Sequence, residues 1–156
     1  MPDHTRNNRN NRQPNHGGPA NGGNRRNYTV TNTIPLELPD NYVDQAERVM
    51  QQLVQNNVPL TTTKLRNILS RISNIYNAEV DRTDDKLLSE SESSLQMTRV
   101  RIAYECGRDN AVKQFVEDAK LLCYIKSVKS SRVKFIHFAR YMEALVAYHR
   151  FFGGKD

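Results

Sequence analysis

At 156 residues, the chain has room for one ordinary domain and a tail, and no apolar run approaches the roughly 18 residues that a membrane span needs. No signal peptide is present, so a soluble cytoplasmic protein is expected. The net charge of +6 is uneven: residues 1–27 hold five Arg and one Asp, giving +4, and the other 18 Lys+Arg and 16 Asp+Glu leave +2 for the remainder. The two cysteines, Cys106 and Cys123, lack metal-like spacing and read as buried reduced thiols, with a disulfide left open.

Residues 1–27 contain eight Asn, five Arg and four Gly with almost nothing apolar, so burial cannot offset their ordering entropy. They are expected to form a disordered arm, either a plain solvated extension or a weak, salt-sensitive contributor to nucleic-acid binding. Residues 28–39 read as an extended linker, because Pro35 and Pro39 block a helix. From residue 40 to 156 the apolar period is helical throughout, which predicts an all-α fold, an antiparallel bundle of about five helices.

Asp40 is expected to cap the first helix, with Tyr42, Val43, Ala46, Val49, Met50, Leu53 and Val54 on one face and a stop at Asn56-Asn57-Val58-Pro59. A threonine at 61–63 caps the second, which buries Leu65, Ile68, Leu69, Ile72, Ile75 and Tyr76. Ser89-x-x-Glu92 resembles a capping box opening the third, and Gly107 reads as its left-handed stop. Asp109 caps the fourth, which runs through Val112, Phe115, Val116, Ala119, Leu122 and Cys123. Ser130 or Ser131 caps the fifth, which ends at Gly153-Gly154. The third helix has two apolar stripes, Leu88, Leu95, Ile102 and Cys106 on one side and Met97, Val100 and Tyr104 on another. Such a helix is either central in its bundle or carries an intersubunit contact.

Two long windows lack acids. Between Glu47 and Glu79 the second helix places Arg66, Asn67, Ser70, Arg71 and Asn74 opposite its apolar face, with Lys64 at the edge. From Ala119 to Met142 the chain carries Lys120, Lys126, Lys129, Arg132, Lys134 and Arg140, and Arg132, Arg140 and Arg150 fall within an arc of roughly 80°. A solvated face normally mixes signs, so these windows favour a polyanion over bare solvent. Cations neutralise phosphates, while Asn and Ser can bond ribose hydroxyls.

No catalytic constellation is expected. His137 and His149 are twelve residues apart, about 18 Å along one helix and about 120° around it, too far to share a phosphate. Of the other candidates, His149 reads as a core histidine and Glu143 as an ion-pair partner of Arg140, and Tyr141 joins no constellation. There is no HExxH, phosphate-binding loop, carboxylate cluster for Mg²⁺ or Cys/His set for zinc, so neither cofactor nor metal is expected.

The blocks Thr63-Lys64-Leu65-Arg66-Asn67-Ile68-Leu69-Ser70, Val100-Arg101-Ile102-Ala103-Tyr104-Glu105-Cys106-Gly107-Arg108 and Tyr141 to Asp156 (YMEALVAYHRFFGGKD) resemble the small subunit of type III-A (Csm-type) CRISPR effector complexes. The likeness covers roughly residues 40–156, most of 79–94 excepted, and Cys106 stands where a small residue such as Ala is expected. The resemblance implies a non-catalytic helical bundle that acts in antiviral defence and stacks in several copies of itself. Its implied partners are target RNA, guide CRISPR RNA, the guide-binding backbone subunits and the large polymerase/nuclease subunit. It also implies backbone contacts to RNA from Lys64, Arg66, Arg71, Arg101, Arg108 and Arg140, although Arg108 could instead bond carbonyls at the end of its helix. Two alternatives stand beside it: a free-standing basic RNA chaperone, and a structural adaptor whose basic faces meet acidic proteins.

Overall fold

The computed structural model describes residues 34–156. The expected arm at 1–27 and the first part of the expected linker lie outside them. The described residues form α1 (Tyr42–Gln55), α2 (Thr62–Glu79), α3 (Ser89–Arg108), α4 (Asn110–Asp118), α5 (Leu121–Val128) and α6 (Arg132–Phe151). No strand forms among them, and the fold is all-α, as the periodicity predicts. One isolated antiparallel bridge, Lys86 with Ser131, pins the α2–α3 connection to the start of α6.

α6 is the central element. It packs along both α1 and α2, and its Phe135, Phe138, Tyr141, Met142 and Leu145 are almost completely buried. α1 contributes Ala46, Val49, Met50 and Leu53, and α2 contributes Leu65, Ile68, Ile72 and Ile75, each set one helical stripe wide. The second stripe of α3 is not core: Met97 is 66%, Val100 57% and Tyr104 52% exposed, whereas Leu95 and Ile102 are buried. Leu88, placed with the buried stripe, is 40% exposed.

Six helices form among the described residues because the expected fourth is two. Lys120 adopts a left-handed conformation (φ 54°, ψ 33°) between α4 and α5. In one continuous helix Leu121 would lie about 200° around from Ala119, on the opposite face. Breaking the helix re-aims Leu121, Ile125 and Val128 into the same core as Phe115 and Val116. The break also frees the Ala119 carbonyl, which accepts a hydrogen bond from the buried Tyr141 hydroxyl at 3.1 Å. Burial, with the neighbouring Tyr124 adding to it, raises the Tyr141 phenol above its ordinary range.

Three expected caps form. Thr61 Oγ1 accepts from the Lys64 N–H, Asp109 from Ala111 and Val112, and Ser131 from Lys134. Others do not. Asn41 precedes α1 and, like Leu88 before α3, makes no side-chain cap bond, so neither Asp40 nor the Ser89-x-x-Glu92 pattern caps as expected. Gly107 lies inside α3, and the helix ends where Asp109 turns extended (φ −136°) to cap α4. Gly153, with φ 84°, is the left-handed residue that follows α6.

Neither cysteine forms a disulfide. Burial, reinforced by the Glu117 carboxylate, pushes the Cys106 thiol up to about 11. At pH 8 its alkylation is therefore expected to run roughly two orders of magnitude slower than that of a free cysteine, becoming fast only on unfolding. Timed iodoacetamide labelling with peptide mass spectrometry checks this, and fast labelling in the native state contradicts it.

Candidate nucleic-acid interface

α2 turns its apolar stripe toward α6 and leaves its polar arc beside α3. The result is an open groove of about 510 Å³ between α2 and α3. Along it lie Lys64, Asn67, Ser70, Arg71 and Asn74 from α2, and Arg101 and Glu105 from α3, with Asp109 at one end. At 100° per residue the five α2 positions fall within an arc of about 120°, so one face of the helix presents them all.

The groove brings together three of the six expected RNA contacts: Lys64, Arg71 and Arg101. Arg108 is joined to it through Glu105, at 4.0 Å. Arg108 therefore meets a carboxylate and the ring of Tyr104 rather than helix-end carbonyls. Arg66 is exposed on α2, outside the groove lining, and its charge helps hold the Asp156 carboxyl below its usual range, after the larger effect of Arg150. Arg140 is exposed on α6, away from the groove lining. Arg71 and Arg140 make no ion pair with any described residue.

Two of the three groove cations are held in place by acids, and Arg71 is not. Lys64 Nζ lies 2.6 Å from Asp109 Oδ2, and Arg101 lies 3.0 Å from Glu105. The hydrogen bond from Lys64 holds the Asp109 carboxyl below the usual range against its partial desolvation, helped by the N–H groups of Val112 and Ala111. The Cζ atoms of Arg101 and Arg108 stand 5.1 and 5.4 Å from the centroid of the Tyr104 ring, within cation–π range. Tyr104, Glu105 and Asp109 were not legible as site residues. The only signal for Tyr104 and Glu105 was their spacing from Arg101 and Arg108 on one helix, and Asp109 read only as a cap.

In the acid-free stretch from Ala119 to Met142, Arg132 and Lys134 are committed elsewhere. Arg132 donates from Nε to the Asp84 carbonyl at 2.7 Å and from a terminal nitrogen to the Glu79 carbonyl at 2.8 Å, closing the end of α2. Lys134 pairs with Glu37 at 2.7 Å, and Arg150 with Asp156 at 2.7 Å. The expected arc of Arg132, Arg140 and Arg150 is therefore not one free basic face. Glu143 makes no ion pair with Arg140.

His149 is buried, as expected of a core histidine, and donates from Nε2 to the Leu60 carbonyl at 2.9 Å. His137 stacks on Tyr42, with ring centroids 6.1 Å apart. Among the described residues no group of His, Cys, Asp and Glu is arranged to hold a metal ion, and no helix is long and apolar enough to cross a membrane.

Residues 37–155 match the Csm2 Type III-A family. The chain is 41% identical over 120 residues to the CRISPR system Cms protein Csm2 of Streptococcus thermophilus, covering 75% of this chain and 95% of that protein. It is 39% identical over 121 residues to the Csm2 protein of Mycobacterium tuberculosis, covering 76% and 97%. With the Csm2 protein of Enterococcus italicus it shares 36% identity over 131 residues, covering 79% and 92%.

Proposed function

The chain belongs to the Csm2 type III-A family, a small subunit of the type III-A CRISPR complex, and from that premise we propose that its α2–α3 groove holds target RNA by the backbone. The observation that carries this reading is the convergence of Lys64, Arg71 and Arg101 with Asn67, Ser70 and Asn74 in one open groove. Phosphates meet the cations, and ribose hydroxyls meet the amides and the serine. Such a surface carries no base code, so sequence choice belongs to pairing between guide CRISPR RNA and target.

In this reading the subunit catalyses nothing. It stacks in several copies beside the guide-binding subunits and reaches the large polymerase/nuclease subunit. The exposed stripe of Met97, Val100 and Tyr104 supports a contact with a neighbouring protein surface. A single copy offers few phosphate contacts and binds RNA weakly, and stacking raises the effective concentration of the next contact. Arg66 and Arg140, exposed outside the groove, extend the same backbone contact on neighbouring faces.

The test is the double variant Arg71→Ala/Arg101→Ala in the reconstituted complex. Assembly by size-exclusion chromatography is expected to be unchanged, while target RNA affinity falls about tenfold and the salt slope drops by about one to two. Loss of assembly would favour the adaptor role. Unchanged RNA affinity in an intact complex would remove the groove from consideration.

A further inference from the structure

The α2–α3 groove carries its own counter-charges. Glu105 and Asp109 both line it, and between them they hold Lys64, Arg101 and Arg108. Their roles differ. Asp109 divides its carboxylate, one oxygen capping α4 through the N–H groups of Ala111 and Val112 and the other meeting Lys64. Removing it would therefore disturb the α3–α4 corner. The Glu105 carboxylate caps nothing, and its ion pairs are with Arg101, one turn before it, and Arg108, one turn after.

We propose that Glu105 is an affinity-setting residue of the groove, its carboxylate standing in for an RNA phosphate on Arg101 and Arg108 until a phosphate displaces it. The inference rests on the backbone-binding reading above. A carboxylate and a phosphate oxygen offer a guanidinium the same charge-assisted acceptor geometry. RNA must therefore exchange one anion for another at these two arginines, which shrinks the net gain per contact. The Glu105 side chain is 29% exposed, so its attraction for Arg101 is screened less than that of a fully solvated pair. The Tyr104 ring, outside the groove lining, contacts both guanidiniums independently of Glu105, so they keep one partner in common when the carboxylate lets go. Isolated groups make weak competitors for that carboxylate, whereas a chain of phosphates that also engages Lys64 and Arg71 competes as a unit.

Glu105→Gln removes the charge and keeps the shape. Full-length wild type, Glu105→Gln, Arg71→Ala and Glu143→Gln are compared by fluorescence anisotropy with one unstructured single-stranded RNA, in a salt series from about 50 to 200 mM. Glu143→Gln controls for bulk charge, since Glu143 is exposed on α6 and makes no ion pair with a described residue. Glu105→Gln is expected to bind about three to ten times tighter than wild type, with a salt slope steeper by up to about one. Glu143→Gln should change affinity less than twofold, and Arg71→Ala should weaken it. If Arg71→Ala weakens binding while Glu105→Gln leaves it unchanged or weaker, the backbone reading stands and the masking role is overturned. Equal tightening by Glu105→Gln and Glu143→Gln also overturns it, by assigning the effect to net charge. If no variant changes binding, the groove reading fails first and the masking role falls with it. Circular dichroism confirms that α3 is retained in each variant.

Discussion

Glu79→Ala is expected to remove about 3 kcal/mol of stability and to lower the thermal midpoint by roughly 10 °C. Glu79 is fully buried at the end of α2, where an unpaired carboxylate could not persist. Its Oε1 accepts the Leu88 N–H at 2.9 Å, and its Oε2 accepts from Arg82 at 2.6 Å. Arg82 then reaches Asp84 and the Lys86 carbonyl, so a single carboxylate organises the whole 80–88 connection. Alanine leaves the Leu88 N–H without its acceptor and Arg82 without its buried partner. Arg82→Ala should cost less, since the guanidinium is partly exposed and Glu79 retains its bonds from Leu88 and Ser91.

The same site gives the sign of a pH effect. Burial raises the Glu79 carboxyl, but the bonds from Ser91, the Leu88 N–H and Arg82 outweigh it, so the net shift is downward. A carboxylate with a lowered native pKa binds fewer protons folded than unfolded. Its contribution is therefore complete above the ordinary carboxylate value of about 4.3 and is lost as pH falls through the native value. The stability gap between wild type and Glu79→Ala, measured by urea unfolding, should be constant from about pH 6 upward and narrow below about pH 4. A gap that widens in acid would mean that the carboxylate is not stabilised in the fold.

His149→Ala is expected to cost about 3 kcal/mol, through a cavity and two lost hydrogen-bond partners. The Leu60 carbonyl can only accept, so Nε2 carries the proton, and Nδ1 lies 3.4 Å from Thr62 Oγ1. Thr62 also donates its backbone N–H to the Lys155 carbonyl at 2.8 Å, and its single hydroxyl proton is shared between His149 Nδ1 and that same carbonyl oxygen, 3.2 Å from Oγ1. The C-terminal tail thus crosses the imidazole, close enough that a Cβ on Gly154 would overlap the ring. Truncating His149 unties this latch at the start of α2, the helix that carries Lys64 and Arg66. Amide exchange at residues 60–66 should accelerate along with the fall in the unfolding midpoint. A lowered midpoint with unchanged exchange there would reduce His149 to a space-filling role.

Much of this molecule was legible before any coordinate. The stripes of α1, α2 and α6 follow a 3.6-residue period, and Thr61, Asp109 and Ser131 cap as their positions imply. The polar arc of α2, from Lys64 to Asn74, also lies on the groove where helical spacing puts it. Less was legible at the α4–α5 junction, because Lys120 gives no sign of a left-handed turn; the core demands it by drawing Leu121 and Phe115 to one side.

The helical class, the main apolar faces and the α2 arc were determined by sequence alone, because each depends on residues within about four positions of one another. Which charges are free was decided only by the tertiary structure. The basic run before Met142 contains no acid, yet Lys134 meets Glu37 from 97 positions away and Arg132 closes α2 through carbonyls 48 and 53 positions away. Lys64 meets Asp109, and Arg101 and Arg108 share both Glu105 and the ring of Tyr104. Helical periodicity is a short-range property of the chain, whereas Coulomb attraction depends on distance in space, and only folding sets that distance.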